Sequence, residues 1–565
     1  MDYKACVAAL IADAAGIPAD EAEGLIEVPQ EASMGDYALP CFTLARTLRK
    51  APPVIAAELK DKITPPAWLE RVENVKGYLN FFIDRKNFAA SALKAVASAG
   101  ARYGGSDEGA GRTVCIDYSS INIAKPFHIG HLSTTAIGHS LYRIYAFMGY
   151  RPVGINHLGD WGTQFGKLIV AFRKWGDRDA VESGGIHALT ELYVRFHDEA
   201  ERDPALEDEA RAWFRRIEHA DPEATALFNW FKELTLRQIG KIYDLLGIRF
   251  DSYAGESFYN DKMDRVVDEL TDKGILVESD GARIVDLSEW DMPPCLILKS
   301  DGATLYATRD IAAALYRKDT YDFARCLYVV ASHQSLHFAQ FFKVIELMGY
   351  PWAGTLEHVA YGMVSLPEGA MSTRRGRVVW LEEIFEDAIE KARAIIEEKN
   401  PDLPDAATVA RQVGVGAVVF AALKNNRIKD IVFSRDAALN FDGETAPYVQ
   451  YTHARCCSLI EKAAGFECTA APDPGYLIND EAQAALKLVA SFPAAVSEAC
   501  RRNEPYIVTR HIVALSKAFN KFYFDHRILD DDRAGTHARL ALVDAVRHCL
   551  FTGLHLIGVE APERM

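Results

Sequence analysis

The chain has 565 residues, 49% of them hydrophobic, with a net charge of −16 and ten cysteines. That length exceeds what one hydrophobic core supports, so roughly two to four domains are expected. The acidic balance excludes binding of nucleic acid by bulk charge, while leaving room for a local basic face.

No CxxC pair occurs and Cys456 and Cys457 are adjacent, so neither a disulfide framework nor a zinc site is indicated. The opening MDYKACVAALIADAAG carries acids and no basic leader, and no apolar run approaches membrane-spanning length. A soluble, cytoplasmic, reducing setting is therefore expected.

In chain order, residues 1–105 have the pattern of a separate α+β module. Val7, Leu10, Ile11 and Ala14 share one face of a first helix. The stretch Met34 to Pro40 is expected to open a second helix, and Pro52-Pro53 a third, since proline is tolerated in a first turn. Gly77 to Asp84 reads as a strand. Four glycines between 101 and 111 mark a linker.

Thr113 to Tyr118 is a short apolar run suited to a buried parallel strand. Ser119 to Pro126 breaks it, and from Gly130 onward Leu132, Ile137, Leu141 and Ile144 recur at helical spacing. The result is a strand–turn–helix unit with His128, Gly130 and His131 near the first turn. Free amides and the helix dipole make such a turn a natural seat for a polyphosphate.

Trp161 to Phe228 is helical and charged, which by pattern is a solvated face. Around Ile248 to Glu256 the pattern returns to strand. A small insertion spans 257–304 and ends near a hairpin-type Asp-Gly turn between Lys299 and Tyr306. Leu327 to Ser332 is again a buried-strand run, with His333-Gln334 at its carboxyl end, where open α/β sheets bind ligands. Glu357 to Leu366 reads as a further strand, followed by a basic loop, Pro367 to Gly376. From Leu381 the pattern is almost wholly helical.

His-Ile-Gly-His alone is a tetrapeptide that chance can supply at any surface turn. The longer phrase is specific. Asn122-Ile-Ala-Lys-Pro-Phe-His-Ile-Gly-His, followed by Asn156-His-Leu-Gly-Asp-Trp-Gly-Thr-Gln-Phe-Gly, resembles the "HIGH" region of class I aminoacyl-tRNA synthetases in its arginyl form. Gly35-Asp36-Tyr37, Gly77-Tyr78-Leu79-Asn80 and the terminal Ala-Pro-Glu-Arg-Met565 match the same family.

The resemblance implies a multidomain α/β plus all-α fold. Its parts are an N-terminal α+β tRNA-contacting module (1–105), a Rossmann-like parallel-sheet catalytic domain (112–380) with insertions near 165–228 and 257–304, and a C-terminal helical anticodon-binding bundle (381–565). It further implies ATP-dependent attachment of L-arginine to tRNA(Arg) through an arginyl-adenylate. Mg²⁺ would arrive with ATP, no protein-bound metal is expected, and the chain would act as a monomer away from membranes.

A selective guanidinium pocket needs carboxylates and flat acceptors. Composition cannot choose among 79 acids. The resemblance assigns Asp117, Asn122, Glu256, Tyr306, Asp310 and Gln334 to arginine. Tyr306 and Asp310, four apart, share a face if their segment is helical. It assigns Lys125, His128 and His131 to catalysis, and His128, Gly130, His131, Met371, Ser372 and Arg374 to ATP. Tyr451, Arg455 and Tyr523 are assigned to tRNA, where tyrosines can stack on splayed bases.

Three positions depart from the family pattern. Ala370 and Thr373 replace the two lysines of the "KMSK" loop, and Ser133 stands where arginine is usual. Lys125, three residues before His128, could supply the missing cation. These departures motivate an alternative, a synthetase-derived RNA-binding protein without aminoacylation activity. A synthetase for another amino acid is a further competitor, although a cysteinyl enzyme would need metal-ligand cysteines.

Overall fold

The computed structural model describes residues 2–29, 31–299, 306–365, 379–440, 443–464 and 471–565. The chain forms two compact units. One comprises Met1–Tyr103, Cys456–Ser491 and Lys517–His548; the other comprises Gly104–Arg455, Phe492–Ser516 and Cys549–Met565.

In the first unit a three-stranded antiparallel sheet has Tyr78–Ile83 at its centre, between Tyr37–Pro40 and Leu69–Val75. Helices Tyr3–Ala15 and Pro52–Lys62 bury Val7, Ile11, Ile55 and Leu59 in one core with Leu39, Leu79 and Phe81 of the sheet. Met34 to Pro40 does not open the expected helix: Met34 closes a 3₁₀ turn, Ala32–Met34, and Tyr37–Pro40 is a strand. Tyr37 to Pro40 pair with Tyr78 to Phe81, and that distant ladder overrides local preference.

The second unit is built on a four-stranded parallel sheet. Its strands are β1 (Thr113–Asp117), β2 (Arg151–Ile155), β3 (Arg325–Tyr328) and β4 (Leu356–His358), in spatial order β4-β3-β1-β2. Helices α1 (Leu132–Phe147), α2 (Tyr306–Tyr321) and α3 (Ser335–Leu347) accompany them. The chain runs from β1 through α1 to β2 on one side, then returns with β3 on the other side of β1. The strand order therefore reverses between β1 and β3, and open sheets bind ligands beyond the carboxyl ends at such a point. The helix packs tightly there, because a Cβ on Gly138 of α1 would lie 2.2 Å from the Tyr118 side chain.

The charged stretch after β2 forms helices Gln164–Trp175, Arg178–Ala200, Ala205–Glu218 and Pro222–Leu246. Ile248 to Glu256 is not the expected strand. It pairs with the β2 segment through an isolated parallel bridge, Ile155 to Ser252. Asn156 N donates to Ser252 O at 2.9 Å and Asp251 N to Gly154 O at 2.9 Å, before a 3₁₀ turn begins at Glu256. The next insertion carries helix Met263–Asp272 and a small antiparallel sheet. Its first hairpin turns through Asp280 (φ 49°) and Gly281 (φ 79°), a two-residue turn that the sequence reading did not single out. The expected Asp-Gly turn before Tyr306 lies outside the described residues.

Among the described residues one helix, Ala406–Leu423, is long and apolar enough to cross a membrane, and 72% of it is buried inside the fold. It packs as a core helix. A Cβ on Gly414 would lie 2.6 Å from the Ile389 backbone, so helix Leu381–Lys399 approaches closely.

Candidate active site

β1 ends at Asp117, and the chain then takes left-handed angles at Ser119 (φ 68°), Ser120 (φ 37°) and Ala124 (φ 58°). Such angles cost energy in non-glycine residues and persist where surroundings over-determine them. Here the Ser119 amide donates to Thr134 Oγ1 at 3.0 Å, and Ser119 Oγ bonds Tyr243 Oη at 2.8 Å. The Ala124 amide donates to Thr235 Oγ1 at 3.1 Å. The loop delivers His128 in an extended conformation to a 3₁₀ turn, Ile129–His131, that leads into α1.

The two imidazoles are fixed by their own backbone. The His128 amide donates to His131 Nδ1 at 3.2 Å, and the Gly130 amide donates to His128 Nδ1 at 3.0 Å. Their ring centroids are 4.1 Å apart. Burial lowers the His128 pKa to about 4, and burial with the neighbouring His128 lowers that of His131 to about 3. Both rings are therefore neutral near pH 7. A neutral ring that accepts at Nδ1 carries its proton on Nε2, so each Nε2–H is left as a donor.

Across the sheet ends, α2 carries Tyr306, Arg309 and Asp310, and the turn Ser332–Gln334 precedes α3. Asp310 Oδ2 bonds His337 Nε2 at 2.6 Å. Asp117 is buried; its Oδ2 meets Arg317 Nη2 at 2.7 Å, and its Oδ1 accepts from Ser120 Oγ at 2.6 Å. Burial pushes the Glu256 carboxyl up to about 7; Arg309 opposes the shift, and Asp310 and Asp160 add to it.

A cleft of about 570 Å³ opens between these walls. Asp117, Asn122, Glu256, Tyr306, Asp310 and Gln334 line it, and so do His128, Gly130 and His131. Tyr306 and Asp310 fall one turn apart on α2. His157, Arg309 and His337 also line the cleft, and Arg317 backs Asp117. Sequence reasoning missed these four, since nothing local distinguishes them from other helix or loop polar residues.

Lys125 is half-buried, and its charge helps depress His131. Ser133 is buried, and its hydroxyl has no hydrogen-bond partner among the described residues. Met371, Ser372 and Arg374, with Ala370 and Thr373, lie outside the described residues. Away from the cleft, the Arg455 guanidinium stands 4.9 Å from the Tyr451 ring centroid, and Tyr451 is exposed. Tyr523 is exposed on helix Tyr506–Asp525.

The parallel sheet thus carries a pair of imidazoles at its first strand–helix turn. Residues 93–435 match the family model for the catalytic domain of class I (R) tRNA synthetases. Residues 1–83 match the arginyl-tRNA synthetase N-terminal domain, and 449–565 the DALR anticodon-binding domain. The chain is 54% identical over 565 residues to the arginine–tRNA ligase of Alkaliphilus metalliredigens, covering 100% of both chains. It is 55% identical over 546 residues to that of Clostridioides difficile, covering 97% of this chain and 96% of the relative. The solved arginyl-tRNA synthetase of Thermus thermophilus superposes with a TM-score of 0.83 at 28% identity, covering 100% of both chains. The chain belongs to the arginyl-tRNA synthetase family.

Proposed function

We infer that this chain joins L-arginine to tRNA(Arg) in two steps. A carboxylate oxygen of arginine attacks the α-phosphorus of ATP, the bond to the β-phosphate oxygen breaks, and pyrophosphate leaves. The ribose 2′-hydroxyl of the terminal adenosine of tRNA then attacks the arginyl carbonyl, and AMP leaves. One observation carries the reading: an acid-bearing wall and a pair of Nε2–H donors share a single cleft at the sheet's switch point.

On this reading Glu256 and Asp310 hold the guanidinium, with Tyr306 and Gln334 as flat polar neighbours. Asn122 takes the α-amino or carboxylate end. Asp117 already accepts from Arg317 and Ser120, so it contributes a neutralised floor to the slot. His128 and His131 donate to the phosphates at the N-terminal end of α1, where Gly130 lets the base approach. Catalysis rests on positioning and on stabilising phosphate charge, with no covalent enzyme intermediate. Mg²⁺ enters as part of the nucleotide substrate. Lys125 supplies a cation beside the phosphates, and Met371, Ser372 and Arg374 complete the ATP contacts.

Residues 1–105 meet the outer corner of the tRNA, and 112–380 is the catalytic domain. The helical segment 381–565 meets the anticodon, through Tyr451, Arg455 and Tyr523. The chain works as a cytoplasmic monomer. Pyrophosphate exchange with each amino acid, with and without tRNA, tests the reading. Arginine-dependent exchange stimulated by tRNA(Arg) supports it, and exchange with another amino acid, or none with any, overturns it.

A further inference from the structure

The His128 turn does not stand on α1 alone. Residues 379–381 run antiparallel beside it: Leu381 N donates to Phe127 O at 2.9 Å, Ile129 N donates to Val379 O at 3.4 Å, and Trp380 bridges His128. The place of the His128 backbone therefore follows the place of Trp380. The Trp380 ring is in turn stacked on His187, with centroids 3.8 Å apart and planes 29° from parallel.

His187 belongs to helix Arg178–Ala200 in the charged helical insertion, just past a break at Gly185 (φ 56°, ψ −133°). The break frees the Ile186 amide, which donates to Gln238 Oε1 at 2.9 Å. Gln238 Nε2 reaches Glu382 Oε2 at 3.4 Å. Two links thus tie 380–382 to the insertion, one by ring stacking and one by an amide that bonds at both ends. His187 is an exposed residue, so no demand of core packing accounts for its ring on Trp380.

We propose that His187 and Gln238 are positioning residues that brace Trp380, and through it the His128 turn, so that the helical insertion forms part of the support of the ATP site. The proposal rests on His128 acting in that site. The stack fixes one ring plane, the Gln238 amide fixes the next turn, and the antiparallel pair transmits both to the backbone that carries the phosphate donors. Loosening the brace changes the geometry at ATP and leaves the arginine wall on α2 and Glu256 unaltered.

The test is pyrophosphate exchange by the full chain with His187→Ala, His187→Phe and Gln238→Ala, beside His128→Ala. A stacked ring pair contributes enough to predict roughly a two- to tenfold loss. The expected result is that His187→Ala loses that much in kcat/KM for ATP while KM for arginine and the fold, read by circular dichroism, hold steady. His187→Phe, which keeps a flat ring, restores the loss. Unchanged ATP kinetics in His187→Ala overturns the brace, as does a loss shared equally between ATP and arginine or one that His187→Phe does not repair. If His128→Ala itself exchanges normally, it is the role of His128 that fails.

Discussion

Arg317 Nη2 lies 2.7 Å from Asp117 Oδ2, and the two side chains are 1% and 7% exposed. A protein guanidinium thus sits directly behind the slot assigned to a substrate guanidinium. Removing one partner strands the other charge in the interior. Arg317→Met is expected to lower unfolding free energy by about 3–5 kcal/mol in urea titration. The double variant Arg317→Met/Asp117→Asn should recover part of that loss, since no buried charge is then left alone.

If Glu256 holds the guanidinium as proposed, arginine affinity depends on pH. The Glu256 pKa is pushed from the ordinary 4.5 up to about 7, chiefly by burial. Binding a guanidinium favours the ionised form, so KM for arginine should fall as pH rises through about 7, with a proton released on binding. For the empty protein the sign is opposite. Between 4.5 and about 7 the folded state holds more protons here than the unfolded chain, so this group subtracts stability as pH rises. Glu256→Gln should raise KM for arginine and flatten both profiles, in initial-rate and melting measurements.

Lys125 and His131 are close enough for the lysine charge to lower the imidazole pKa. In Lys125→Ala the kcat of pyrophosphate exchange should drop by ~10²-fold, the scale of losing one preorganised group at a developing charge. Affinity for tRNA, measured by filter binding, should change little. Near-normal exchange would remove Lys125 from the mechanism.

Ser133 stands where the resemblance implies arginine, and its buried hydroxyl has no partner among the described residues. An unpaired buried polar group is a cost, and alanine is the better helix former. Ser133→Ala should therefore stabilise by roughly 1 kcal/mol in urea titration, with exchange activity retained. A clear loss of activity would give the hydroxyl a functional role that its surroundings do not suggest.

The parts legible in the sequence were those with continuous local patterns. The apolar run from Thr113 forms β1, and the helical spacing from Leu132 forms α1, because a buried parallel strand writes a continuous apolar run, and a helix a recurrence of large apolar residues, into a short window. Tyr37 to Pro40 carries no local strand signal because its strand state depends on partners about forty residues away. Ile248 to Glu256 has strand-like composition, yet it forms no ladder: it bridges the sheet at Ser252 beside Ile155, and its end is held by the loop after β2, where Glu256 N donates to Leu158 O at 2.9 Å. The cleft residues named from the sequence came from a motif match. Arg317 stayed hidden because its role is defined by Asp117, 200 positions earlier. The brace of His187 on Trp380 likewise joins segments with no shared local signature.

On the proposed function, one cleft seats arginine and ATP side by side. A non-hydrolysable arginyl-adenylate analogue, titrated calorimetrically into the full chain, tests it most directly. The expected result is binding tighter than that of either substrate alone, competition with both arginine and ATP, and marked weakening in Asp310→Asn. Equal affinity for the lysyl analogue, or binding that displaces only one of the two substrates, would contradict it.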